Sequence, residues 1–168
     1  MNANGTLTIA NAICDSVFIS VRLASISGFI KAERQKMTKE QPYAQEGYDL
    51  MGAAFEVHRE TGGGLAEEIY QECLELELEF REIPCIPRQE LSVFYKGKQL
   101  RKRYIPDLLV FDGIVVELKS VKALLPEHEA QLINYMRISR KQVGYLINFG
   151  PLGEVEWKRF VLTDSIKQ

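Results

Sequence analysis

From about residue 46 the hydrophobic and polar positions fall into regular patterns. The stretch "YDLMGAAFEVHRETGGG" predicts a helix ended by glycines, which favour helix C-termini. "LAEEIYQECLELELEFREI" predicts a second helix, stopped by Pro84 and Pro87. Two ridges can be drawn on it: Ile69, Cys73, Leu76 and Phe80 as the apolar one, and Glu67, Tyr70, Leu74 and Leu78 as a partly apolar one. "ELSVFYKGKQLRKRY" reads as two strands around Lys96-Gly97-Lys98. "IPDLLVFDGIVVELKS" gives two further strand segments around Asp112-Gly113. "PEHEAQLINYMRISR" predicts a helix with proline in its first turn. "QVGYLINFG" and "VEWKRFVLT" close the chain as strands. Two helices, a run of strands, a helix and two strands predict a mixed α/β sheet domain flanked by helices.

The first 45 residues differ in character and are expected to be an N-terminal extension or linker, with the domain over 46–168. "LTIANAICDSVFISVRLASISGFI" is apolar, but Asp15 and Arg22 interrupt it before the ~18 apolar residues of a membrane span accumulate. "MNANGTLT" ahead of it lacks the positive charge of a secretory leader. The expectation is therefore no membrane and no export. "KAERQKMTKEQPYAQEG" is polar and reads as the linker. Met37 lies within it, so residues 1–36 read as an upstream extension before an internal start. The other reading is a helix or strand that packs on the domain.

Charge and composition narrow the function classes. A formal net charge of −2 and a pI near 5.8 exclude a basic coat for nucleic acid, so any such binding must rest on a local patch. One exists: Lys96, Lys98, Arg101, Lys102 and Arg103, with Tyr95 and Tyr104 at its ends, lead directly into Asp107. Such a hairpin could steer a phosphate backbone, or its lysines could simply discourage edge-to-edge pairing. Arg137 to Lys141 form a second, weaker patch. Cys14, Cys73 and Cys85 are odd in number and form no CxxC pair, which argues against a disulfide framework or zinc site and fits a reducing cytoplasm. His58 and His128 have no partner at ligand spacing and read as structural.

The chemistry concentrates in "RYIPDLLVFDGIVVELKS", where Asp107, Glu117 and Lys119 interrupt Ile, Leu and Val. Alternation along a strand puts Ile114, Val116 and Leu118 on one face and Val115, Glu117 and Lys119 on the other. Pairing about Asp112-Gly113 would set Asp107 opposite a residue near 117 or 118. Adjacent carboxylates repel. A divalent cation relieves that repulsion, and a neighbouring lysine can orient an attacking water, a set suited to metal-assisted phosphodiester hydrolysis. Taken alone, Glu117 and Lys119 are better explained as a solvated surface pair.

Pro106-Asp107, nine intervening residues, then Glu117-Leu118-Lys119 resemble the signature of the PD-(D/E)XK nuclease superfamily. Gly64-x-x-Glu67-x-x-Tyr70 resembles the motif for which the GxxExxY protein family is named. Gln131 and Tyr135 resemble the Gln-x-x-x-Tyr element of some branches, and Asn148-Phe149-Gly150 resembles the family's last core strand. The resemblance runs from about Tyr48 to Leu162. It implies a restriction-endonuclease-like fold, a mixed central sheet flanked by helices with a metal site at one margin. Carried over by position, Asp107 and Glu117 would be ligands for Mg²⁺ (or Mn²⁺), with the Leu118 carbonyl as another. Glu67 would be a further ligand or orient a metal-bound water, and Lys119 would position the attacking water. Gln131 and Tyr135 share a helix face and would bond substrate phosphate or hold the lysine. The implied activity is hydrolysis of DNA or RNA, with DNA favoured. The alternative is a non-catalytic nucleic-acid- or protein-binding module that keeps the site as a relic.

Overall fold

The computed structural model describes residues 41–162. The expected extension, its apolar run and the start at Met37 lie outside the described residues. The first helix, α1, spans Ala44–Thr61 and so begins inside the stretch read as linker. It ends at Gly62, whose positive φ continues the chain out of the helix. Then come α2 (Glu67–Phe80), β1 (Cys85–Pro87), β2 (Leu91–Tyr95), β3 (Lys98–Tyr104), β4 (Leu108–Val110) and β5 (Ile114–Lys119). After these follow α3 (Pro126–Ser139), β6 (Val143–Asn148) and β7 (Glu156–Val161). Strand β1 was not expected: the prolines that stop α2 also bracket a three-residue strand too short to show a period. No described helix is long and apolar enough to cross a membrane.

Five strands form a mixed sheet in the order β1-β4-β5-β6-β7, while β2 and β3 pair only with each other. Strand β5 lies antiparallel to β4 and parallel to β6, with α3 as the crossover between the parallel pair. The sheet's two faces follow the alternation in the sequence. Leu108, Val110, Ile114, Val116 and Leu118 join Val143, Tyr145 and Ile147 in a core shared with α1 and α2. Leu109, Val115 and Leu146 face Leu132, Tyr135 and Met136 of α3. Both faces are covered, which explains why β4 and β5 read as near-continuous apolar runs.

Two expectations need correction. The apolar ridge of α2 is not the buried one. Tyr70, Leu74 and Leu78 are fully buried, whereas Ile69, Leu76 and Phe80 are exposed and Cys73 is only half-buried. The helix turns toward the sheet the stripe that starts at Glu67, so Glu67 is carried to the sheet's margin. The β4–β5 turn is also not centred on Asp112-Gly113. Leu108 pairs with Val116 and Val110 with Ile114, leaving a three-residue loop. Phe111 and Asp112 take positive φ, and the Gly113 N–H donates to the Val110 carbonyl at 3.2 Å. A Cβ on Gly113 would lie 2.0 Å from the Tyr43 ring, so a side chain there would have to push that ring aside. The extra loop residue moves the register by one and brings Asp107 into line with Glu117.

Candidate active site

At the carboxyl end of β5 the chain places a carboxylate, a carbonyl and an ammonium in succession: Glu117, Leu118 and Lys119. Asp107 precedes β4, and its Oδ2 accepts a hydrogen bond from the Leu118 N–H at 2.7 Å. This bond ties the acidic residue to the neighbouring strand and fixes the two carboxylates at one margin. The Lys119 ammonium lies 2.7 Å from Glu117 Oε1 and 3.6 Å from Glu67 Oε1. Asp107, Glu117, Lys119 and Glu67 are thus brought together as expected. Glu67 opens α2, where the positive end of the helix dipole also favours its charge.

The electrostatics set this cluster apart from surface ion pairs. Glu117 is 2 % exposed, and its Oε2 has no hydrogen-bond partner among the described residues. Burial first, and the Asp107 charge second, push its pKa up to about 7, against the pull of Lys119. Burial also raises Asp107, although the Leu118 N–H and Lys119 act in the other direction. For Lys119, burial acts to lower the pKa, but Glu117, Glu67 and Asp107 outweigh it and raise it. The ammonium therefore stays charged among three acids.

An orphaned buried carboxylate oxygen is costly and rare in a folded protein. Its presence beside a second carboxylate is the arrangement that a cation would relieve. Among the described residues no three His, Cys, Asp or Glu groups stand close enough to hold an ion by themselves. Mg²⁺, however, needs only one or two carboxylates, its remaining positions being filled by water and substrate phosphate. In donor type and charge, Asp107, Glu117 and the Leu118 carbonyl fit such a hard cation.

Tyr70 secures Glu67. Its hydroxyl donates to the Gly62 carbonyl at 2.7 Å and accepts from the Leu65 N–H at 3.0 Å, clamping the loop that leads into α2. Its ring stacks on Phe149 with centroids 4.6 Å apart, and the Gly64 N–H donates to the Phe149 carbonyl. The residues of the Gly-Glu-Tyr and Asn-Phe-Gly elements therefore interlock. Asn148, fully buried, accepts from the Val121 and Gly150 N–H groups and donates to the Val121 carbonyl and Glu156. Gly150 sits so close to Val121 that a Cβ would come within 2.1 Å of its carbonyl oxygen. This network pins the chain immediately after Lys119, and the Phe149 N–H binds the Lys119 carbonyl itself at 2.8 Å.

Gln131 and Tyr135 share a face of α3, and the Gln131 amide donates to the Tyr135 hydroxyl at 2.9 Å. Neither bonds Lys119. Burial raises the Tyr135 pKa, with Glu117 and Asp107 adding to the effect, which puts the phenol within the field of the acids. Tyr104, at the end of β3, packs edge-on against Tyr135 with centroids 5.5 Å apart. The basic hairpin of Lys96, Lys98, Arg101, Lys102 and Arg103 is thereby rooted beside the cluster, though its charged side chains lie in solvent. Of the weaker patch, Lys141 is engaged by Asp112. His58 donates to the Pro151 carbonyl, and His128 accepts from the Leu125 N–H at the start of α3, so both are structural.

Sequence reasoning missed Arg88 and Glu156. The Arg88 side chain binds Gln71, its N–H binds the Asp107 carbonyl at 2.9 Å, and its charge acts to lower the Asp107 pKa. Arg88 takes a positive φ after the short β1, a conformation that no local signal announces. Glu156 accepts from Asn148 and from the Leu124 N–H, a role visible only once β6 and β7 pair.

A mixed five-stranded sheet between helices, with an Asp, a Glu and a Lys gathered at one margin, defines a restriction-endonuclease-like fold. The family model described as "PD-(D/E)XK nuclease superfamily" matches residues 44–160, and the chain belongs to that superfamily. A solved structure titled "Crystal structure of SSO0001" is similar at 21% sequence identity with a TM-score of 0.46. The match covers 56% of this chain and 48% of that one, so the chain spans about half the length of that protein. No curated protein matches the chain.

Proposed function

We propose that the protein is a metal-dependent nuclease of the GxxExxY type that hydrolyses phosphodiester bonds in DNA or RNA, with DNA favoured. The single observation that supports this best is Glu117, a buried acid with an orphaned oxygen, pressed against Asp107 and bonded to Lys119. A structural ion pair needs neither the second carboxylate nor the unmet oxygen.

In this reading Asp107, Glu117 and the Leu118 carbonyl hold Mg²⁺ or Mn²⁺, with Glu67 as a further ligand or an orienting group. The bound ion supplies charge neutralisation at the phosphate and a more acidic water. Lys119, held charged by its three acidic neighbours, donates a hydrogen bond to the attacking water or to a phosphate oxygen. Gln131 and Tyr135 present an amide and a phenol to the substrate phosphate. The basic hairpin raises the local concentration of nucleic acid, in a salt-sensitive way. The half-buried Cys73 and Cys85, both free thiols, suit a reducing cytoplasm.

The test is Glu117→Gln. It keeps the side chain's shape and its acceptor toward Lys119 while removing the charge. Cleavage should be lost and the fold retained. Retained cleavage would refute the assignment of Glu117.

A further inference from the structure

The hairpin of β2 and β3 is unusual within the molecule. It pairs with no other strand, and every residue of β3 is exposed. From Leu91 to Tyr104 it contains five Lys or Arg residues and no acid, in a chain whose net charge is −2. Among the described residues, the ion pairs formed elsewhere in the domain include none of these five cations.

Its apolar content is equally telling. Phe94 and Tyr95 are each 63% exposed, and Tyr104 is also exposed while its ring rests against Tyr135. A solvated hairpin meant only to resist aggregation has no use for three exposed aromatic rings among its lysines. Phe94 and Tyr95 are consecutive, so they project to opposite sides of the ribbon. Lys96 lies over the Tyr95 ring at 5.6 Å, and much of that residue still faces solvent. From Lys98 to Tyr104 the ribbon runs about 20 Å, its root being at the acidic cluster.

Cations that track a backbone, flanked by aromatic faces, match the chemistry of an unpaired strand. Single-stranded nucleic acid offers both its phosphates and its bases, and base–aromatic stacking tolerates any sequence. A duplex hides its bases and would meet only the cations. We infer that the β2–β3 hairpin is a stacking platform for single-stranded nucleic acid, delivering the strand to the site beside Tyr135. This inference rests on the nuclease reading for its purpose but not for its test.

Binding is read by fluorescence anisotropy with the Glu117→Gln protein in chelator, so that no strand is cut. The probes are a labelled mixed-sequence single strand, the same strand with abasic sites, and its duplex. The single strand should bind tightest, and the abasic strand at least about fivefold more weakly. Phe94→Ala and Tyr95→Ala should each weaken the intact single strand by a similar factor without altering the salt dependence. Lys102→Ala should lower the salt slope by about 0.7. Circular dichroism melting checks that each variant is folded, and the abasic comparison needs no hairpin variant at all. Equal or tighter binding of the duplex, no binding of any probe, or indifference to both the abasic sites and the ring deletions would overturn the inference. Wild-type cleavage, assayed separately, tells the two readings apart: cutting without single-strand preference sinks only the platform, and preference without cutting sinks only the nuclease.

Discussion

Glu117→Gln has a consequence for stability that can be worked out from the structure. With a pKa raised to about 7 from the usual 4.5, the folded protein holds a proton that the unfolded chain has released over that interval. The native state then binds more protons than the unfolded state, so stability falls as pH rises through the window. At about 1.4 kcal/mol per unit, the penalty accumulates to roughly 3 kcal/mol by pH 7 and is then constant. The glutamine variant cannot ionise and escapes this fall. In chelator, the difference in unfolding free energy, wild type minus variant, should therefore drop by about 3 kcal/mol between pH 4.5 and 7, or roughly 10 °C in Tm for a domain of this size. Adding Mg²⁺ at pH 8 should recover stability in the wild type, by about 2.7 kcal/mol at a hundredfold excess over Kd, and should do little for the variant. Thermal and urea unfolding at a series of pH values measures both. Parallel pH curves for the two proteins, or equal stabilisation of both by Mg²⁺, would mean that Glu117 neither ionises with a raised pKa nor binds the ion.

Tyr70→Phe should destabilise the fold by about 1–3 kcal/mol, because it leaves the Gly62 carbonyl and the Leu65 N–H without their partner; it should also lower cleavage by loosening Glu67, and urea unfolding with a turnover assay reads the two effects separately. Gly150→Ala should lose about 1–3 kcal/mol from the clash of its Cβ with the Val121 backbone, seen as a lower urea midpoint with an unchanged m-value. Phe80→Ser, on the exposed flank of α2, should change stability by no more than about 0.5 kcal/mol, in contrast to Leu78→Ala on the buried ridge, which should lose about 2–5 kcal/mol.

Much of this was legible in the sequence because the relevant signals are local. The apolar runs of β4, β5 and β6 marked buried strands, and alternation assigned Ile114, Val116 and Leu118 to one face and Glu117 to the other. The paired spacing of Glu67 and Tyr70 marked a helix stripe. What escaped depended on tertiary choices. Two stripes of α2 were comparably apolar, and the one that turns inward carries Tyr70, stacked on Phe149, with Leu74 and Leu78. The β4–β5 register depended on positive φ at Phe111 and Asp112, tolerated because Tyr43 packs over Gly113 and Lys141 holds Asp112. Arg88 approaches Asp107 through a three-residue strand without any period. The roles of Tyr70 and Asn148 became visible as well: Tyr70 bonds the backbone of the loop before Glu67, and Asn148 bonds Glu156 and the backbone that follows Lys119.

In the proposed function the Asp107–Glu117–Lys119 cluster cuts nucleic acid with the help of a divalent ion. The most direct measurement is cleavage of single- and double-stranded DNA and RNA in Mg²⁺ or Mn²⁺, with Lys119→Ala alongside. Metal-dependent cleavage by the wild type that disappears in Lys119→Ala is the predicted result. Cleavage that persists in Lys119→Ala, or a folded wild type that neither cuts any of these substrates nor binds metal, would contradict it.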